Sequence, residues 1–163
     1  GIAGSKEKCK YATDKFQFDH CLNHKSSEFS EELKQVCPEG IDVYFENVGG
    51  KVLDSVLPLL NDFARIPVCG IISAYNSTEL PSGPNLTPSL MRSILVKRLT
   101  FRGFIVWDFA NQEKEALQQL AKWIKQGKLN YLEDIVDGLE NAPEAFIGLF
   151  DGKNFGKLVV RVN

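Results

Sequence analysis

Apolar and polar positions along the chain follow two alternating rhythms. Short apolar bursts recur, and between them lie longer stretches in which apolar residues return at helical spacing. Gly1-Ile2-Ala3-Gly4 reads as the tail of a strand and a turn. Ser5 is placed to cap a helix carrying Lys8, Tyr11, Ala12 and Phe16. An apolar burst over 18–22 precedes a helix over 28–37, with Phe29, Leu33 and Val36 on one face. Pro38-Glu39-Gly40 stops that helix, and Ile41-Asp42-Val43-Tyr44-Phe45 reads as the clearest buried strand. Gly49-Gly50 then turns the chain into a helix striped by Val52, Leu53, Val56, Leu57 and Leu60. The next strand spans 63–72, where Pro67 points to an edge or irregular position. A polar loop over 73–88, holding Pro81, Gly83, Pro84 and Pro88, is long enough to expect function or mobility there. A helix over 89–97, a strand over 99–106 and a helix over 112–126 follow. The last of these turns Leu117, Leu120, Ala121 and Ile124 inward and ends at Gly127. The stretch 130–136 is extended, Asn141 caps a final helix with Pro143 in its first turn, and 157–162 closes as a strand. Strand and helix alternating across short connections predicts parallel strands, and hence an α/β fold with a doubly wound, mostly parallel sheet. No internal repeat, low-complexity tract or linker divides the sequence.

Composition narrows the class. Of 163 residues, 44% are hydrophobic and 25% charged, which excludes a disordered chain, a collagen-like chain and a coiled-coil rod. Nineteen Lys and Arg against 21 Asp and Glu leave a net charge of -2, so no nucleic-acid partner is expected. No apolar run approaches the roughly 20 residues of a membrane span, so no membrane partner is expected either. Cys9, Cys21, Cys37 and Cys69 form no C-x-x-C pair. His20 and His24 are four apart on what reads as a short strand, where such a pair does not converge. No metal site is therefore expected. The scattered thiols read as reduced, core-filling cysteines of a cytoplasmic protein.

A dinucleotide-binding fold opens with a strand, a glycine-rich turn and a helix, yet no G-x-G-x-x-G occurs here. Gly1-Ile2-Ala3-Gly4 reads instead as the end of the second strand of such a fold, where the choice between the two nicotinamide cofactors is made. Ala3, Gly4 and Ser5 leave room there, and Lys6 and Lys8 bring positive charge. That combination suits a 2′-phosphate, although the same lysines also fit a solvated first helical turn. The expectation is a partial Rossmann-like domain over 1–163 plus a C-terminal tail segment. Its first strand and glycine-rich turn, and an N-terminal catalytic domain, would lie outside this chain.

Three segments carry a family resemblance: Ile41-Asp42-Val43-Tyr44-Phe45-Glu46-Asn47-Val48-Gly49-Gly50, Gly138-Leu139-Glu140-Asn141-Ala142-Pro143-Glu144-Ala145-Phe146 and Gly152-Lys153-Asn154-Phe155-Gly156-Lys157. With Cys69-Gly70-Ile71-Ile72-Ser73-Ala74-Tyr75-Asn76 between them, the chain resembles the medium-chain dehydrogenase/reductase superfamily. The branch is the zinc-independent one, with NADPH-dependent alkenal, alkenone, prostaglandin and curcumin reductases. The resemblance covers the whole chain and about the last half of such an enzyme.

The resemblance implies NADP(H) as cofactor, an enone or enal as small-molecule substrate, and a homo-oligomer, often a dimer formed through the sheet edge. Lys8 would meet the 2′-phosphate with Ser5 close by, and Asn47 would bond ribose or phosphate oxygens. Cys69, Gly70, Ile71, Ile72, Ser73, Ala74 and Tyr75 would lie under the nicotinamide half. Tyr75 would also serve catalysis by donating to the developing enolate oxygen. Phe104, Ile105 and Val106 would line the nicotinamide pocket, and Asn154 would reach the cofactor from its turn. His24 stands where the family often has Tyr. Two other readings stay open: a non-catalytic nucleotide-binding or interaction domain, and a quinone reductase of the same superfamily.

Overall fold

The computed structural model describes residues 1–79 and 85–162. Pro81, Gly83 and Pro84 of the expected loop lie outside the described residues. The chain divides into two compact units, Gly1–Asn23 with Asn111–Asn163, and His24–Ala110.

In the first unit, β1 (Ile2–Ala3) leads into α1 (Lys6–Phe16), and β2 (Leu22–Asn23) returns parallel to β1. Ser5 starts α1 as expected, its hydroxyl accepting the Lys8 backbone N–H at 3.2 Å. In the second unit, α2 (Phe29–Val36) is followed by β3 (Ile41–Val43), α3 (Gly50–Val56), β4 (Leu60–Val68), α4 (Thr87–Lys97) and β5 (Thr100–Gly103). The three strands form one sheet in the order β3-β4-β5, parallel throughout. The first unit then resumes with α5 (Glu113–Lys125), β6 (Glu133–Asp137), α6 (Ala142–Phe150) and β7 (Lys157–Arg161), and β6 pairs in parallel with β7. Gly156 sits at φ +104, and a Cβ on it would stand 2.4 Å from the Leu132 carbonyl oxygen, so only glycine admits the approach into β7. Strand–helix alternation with only parallel pairing among the described strands makes this an α/β, Rossmann-like fold.

The core lies mainly in the second unit. Phe29 and Leu33 of α2, Val52 and Val56 of α3, Leu60, Ala64 and Ile66 of β4, and Leu99 before β5 are buried. Full burial of one such side chain contributes roughly 1.5–3 kcal/mol. Of the expected stripes, Phe29 and Leu33 of α2 and Val52 and Val56 of α3 are buried, Val36, Leu53 and Leu57 are half-buried, and Leu60, expected on the helix, instead opens β4.

Three expectations are corrected and one is narrowed. Of the two positions expected for Pro67, the edge is excluded, because it lies in the middle strand of its sheet, and the irregular one holds, because the pairing with β3 is interrupted beside it. Its carbonyl accepts from Glu46 N–H at 2.9 Å, on the β3 side, which is where its missing N–H would also have pointed. The β3 ladder stops at that level, and a single Glu46–Val68 bridge continues it. Ile41 to Phe45 is not a buried strand, because Val43 and Phe45 are 52% and 57% exposed. In α5, Leu117, Leu120 and Ile124 are exposed, as is Ala121, since no described element covers that face. Asn141 makes no side-chain cap, and its Nδ2 donates back to the Asp137 carbonyl at 2.8 Å.

Candidate functional site

The second unit brings together the largest group of the residues singled out from sequence. Parallel β3 and β4 end side by side, so the turn after each leaves the sheet at the same edge. There Cys69 and Gly70 donate backbone N–H to the Glu46 carbonyl at 2.8 and 3.2 Å. Ile72 donates to the Asn47 carbonyl at 3.2 Å, and Ser73 to the Val48 carbonyl at 3.0 Å. The segment Ile71-Ile72-Ser73-Ala74-Tyr75 is thereby fastened along the turn Glu46-Asn47-Val48-Gly49. Ile72–Ala74 form a short 3-10 turn, and Tyr75 folds back so that its hydroxyl receives the Ile71 N–H at 3.4 Å.

Gly70 is the centre of this arrangement. A Cβ there would stand 2.7 Å from the Tyr75 hydroxyl and 2.8 Å from Asn47 Oδ1. The amide and the phenol therefore share the patch above a residue that has no side chain. Both side chains are exposed, while Gly70 itself is buried. Gly49 and Gly50 hold positive φ on the other side, and Ser73 Oγ is 3.3 Å from a Cβ on either.

Three aromatic rings gather after β3 and β5. Phe104, just past β5, meets Phe45 at 6.1 Å and Phe109 at 6.0 Å, each edge to face. Ile105 and Val106 are 61% and 69% exposed, and the Ile105 N–H is taken by Asp108 at 3.0 Å. His24 is half-buried, and burial with Lys25 nearby pushes its imidazole below the usual histidine range.

In the first unit, Lys8 Nζ donates to the Gly152 carbonyl at 2.6 Å. This ties the helix that Ser5 caps to the turn that carries Asn154. Asn154 Nδ2 is spent within that turn, on the Gly156 carbonyl at 2.7 Å. Its side chain also borders a recess of about 300 Å³ with Asp134, Asn141, Glu144 and Lys153.

The thiols are only partly core. All four are free, Cys9 is buried, and Cys69 is exposed, because it follows β4 where the chain leaves the sheet. Burial pushes the Cys21 thiol up to about 11, with a hydrogen bond to Cys9 adding to the effect. No group of three or more His, Cys, Asp or Glu among the described residues could hold a metal ion. No described helix is long and apolar enough to cross a membrane.

Glu46 is the residue the sequence reading passed over. It is buried at 2% exposure, the one charged side chain so placed among the described residues. The signal was available: a carboxylate directly after an apolar run and three positions before a glycine pair.

Comparison with known proteins gives a consistent picture. The family model described as zinc-binding dehydrogenase matches residues 16–160. The NADPH-dependent curcumin reductase of Escherichia coli K12 is 55% identical over 99% of this chain and 47% of its own length. The NADP(+)-dependent 2-alkenal reductase of Nicotiana tabacum is 44% identical over the whole chain and 46% of its own. CurA from Vibrio vulnificus, solved in complex with NADPH, superposes with a TM-score of 0.95 at 54% identity, covering 100% of this chain and 49% of that one. The chain thus spans about half the length of the relatives it matches. The motif order read from sequence, the parallel α/β fold and the family match agree: the chain belongs to the zinc-binding dehydrogenase family and, within the medium-chain dehydrogenase/reductases, to the zinc-independent branch of alkenal and curcumin reductases.

Proposed function

We propose that the chain is the NADPH-binding portion of an oxidoreductase that reduces the carbon–carbon double bond of α,β-unsaturated ketones and aldehydes. The observation that carries this reading is the meeting of Asn47 and Tyr75 over the bare backbone of Gly70. The activities for which the curcumin and 2-alkenal reductases are named, and the NADPH in the CurA structure, support it.

When bound, NADPH supplies a hydride to the β-carbon of the conjugated substrate. The chain's own residues do the rest. Lys8 spends one of its three ammonium protons on Gly152 and keeps two for the 2′-phosphate, with Ser5 beside it. Asn47 offers its amide to ribose or phosphate oxygens. Cys69 to Ala74 form the floor, and Phe104, Ile105 and Val106 the apolar flank, of the nicotinamide site. Tyr75 donates its phenolic proton as a hydrogen bond to the carbonyl oxygen while negative charge gathers there. The α-carbon takes its proton from solvent. His24 and Asn154 are assigned to the cofactor's periphery. In this reading the chain also self-associates, through the exposed edge and end of β5.

Isothermal titration of the protein carrying this chain with NADPH and NADH tests the cofactor assignment. NADPH is expected to bind more tightly, and Lys8→Ala to remove about tenfold of that preference, the loss of one charge-assisted contact. Equal affinity for both nucleotides, or none, overturns it. Steady-state turnover is expected with an enone. Turnover confined to quinones would move the protein to the quinone reductases.

A further inference from the structure

We propose that Glu46 is the positioning residue of this site: its buried carboxylate clamps the turn after β3 and so holds Asn47 over Gly70. The inference rests on the nicotinamide-nucleotide reading above and adds a residue to it.

A buried carboxylate is expensive unless a cation or several donors meet it. No ion pair includes Glu46 among the described residues. One oxygen, Oε1, instead accepts the backbone N–H of Val48 at 2.6 Å, that of Gly49 at 2.8 Å and the Tyr44 hydroxyl at 3.3 Å. Bonds from backbone N–H to an ionised oxygen are shorter and stronger than neutral ones. The other oxygen, Oε2, is buried and has no hydrogen-bond partner among the described residues.

The backbone of the same residue reaches the other half of the site. Glu46 N–H donates to Pro67, and its carbonyl takes the N–H of both Cys69 and Gly70. Glu46 therefore fixes the turn bearing Asn47 through its side chain and the turn bearing Gly70 through its main chain. Asn47, one residue along, has neither of its neighbours free to rotate. Its Oδ1 comes to lie 2.8 Å from the point a Gly70 Cβ would occupy, beside the Tyr75 hydroxyl. Burial and the adjacent carboxylate push the Tyr44 phenol upward, so Tyr44 remains a donor to Glu46 at neutral pH.

The test is a mutant cycle in the protein carrying this chain, read by NADPH titration and by amide hydrogen exchange at Val48 and Gly49 without nucleotide. Glu46→Ala and Asn47→Ala are each expected to weaken NADPH about tenfold. The double variant should be no more than about twofold worse than the weaker single one, because both remove the same contact. Glu46→Gln keeps an acceptor at Oε1 but a weaker one, and should bind between the wild type and Glu46→Ala. Exchange at Val48 and Gly49 should accelerate in Glu46→Ala and stay slow in Asn47→Ala. Should Glu46→Ala fail to fold, Glu46→Asp replaces it in the cycle, since it keeps the charge but falls one methylene short. Losses that multiply in the double variant overturn the proposal, as does wild-type affinity in Glu46→Ala or Glu46→Asp. A wild-type protein that ignores NADPH overturns the functional reading and this role with it, and the wild-type titration alone distinguishes that outcome.

Discussion

Gly70 leaves no room for a methyl group without moving two side chains, and both obstacles are the far ends of flexible groups, the Tyr75 hydroxyl and the Asn47 amide. Its φ is not positive, so an alanine is not strained there. Gly70→Ala is therefore expected to separate binding from folding. Urea denaturation should register less than about 1 kcal/mol, while the NADPH dissociation constant rises about tenfold. A large stability loss with intact binding would contradict the crowding argument. His24 adds a pH dependence. Its imidazole is held below 6.5, first by burial and then by Lys25, so the unfolded chain takes up a proton more readily than the folded one. Its favourable contribution is present above pH 6.5 and is lost as pH falls through the lowered folded value. The stability gap between wild type and His24→Asn, measured by urea at several pH values, should be constant above neutrality. It should move against the wild type in acid. Residue identities were legible here because Asn, Gly and Tyr each have distinctive chemistry in the family pattern. Glu46 was not, because only burial distinguishes a clamping carboxylate from a solvated one.

At the scale of elements, burial separates helices that look alike in sequence. The stripes of α2 and α3 face one another, and β4 buries Ile66, which is 0% exposed. Ile66→Ala should cost about 2–5 kcal/mol of unfolding free energy, read by chemical denaturation. The face of α5 has the same spacing, yet Leu117 is 58% exposed and Trp123 43%. Truncating Leu117 should cost far less, because a half-exposed side chain leaves no cavity behind. Periodicity reports that a helix has an apolar face, and contacts decide whether anything covers it. Pro67 makes the same point for strands. Its missing donor reads as an edge or an irregular position, and tertiary structure selects the second: the strand is central, and the β3 ladder is interrupted where that donor would have been needed.

For the whole molecule, open edges and uncovered apolar faces predict association. β1 pairs only with β2, and β5 only with β4, among the described strands. Ile105, Val106 and Trp107 beyond β5 are exposed, Trp107 at 75%. Unpaired strand edges and contiguous apolar surface both recruit partners. Sedimentation velocity of this chain at about 100 μM should show dimers or larger species. A single monomer boundary would count against it. Fold class, strand order in the chain, helix starts at Ser5 and Gly49-Gly50, and the family all followed from sequence alone, because they depend on local spacing, turn chemistry and motif order. Tertiary structure alone decided which apolar stripes are buried, where Pro67 sits in its sheet, and that Asn47, Gly70 and Tyr75 share one patch with Glu46 beneath it. Those facts depend on groups distant in the chain meeting in space, and no local pattern encodes which atoms will exclude water from which others.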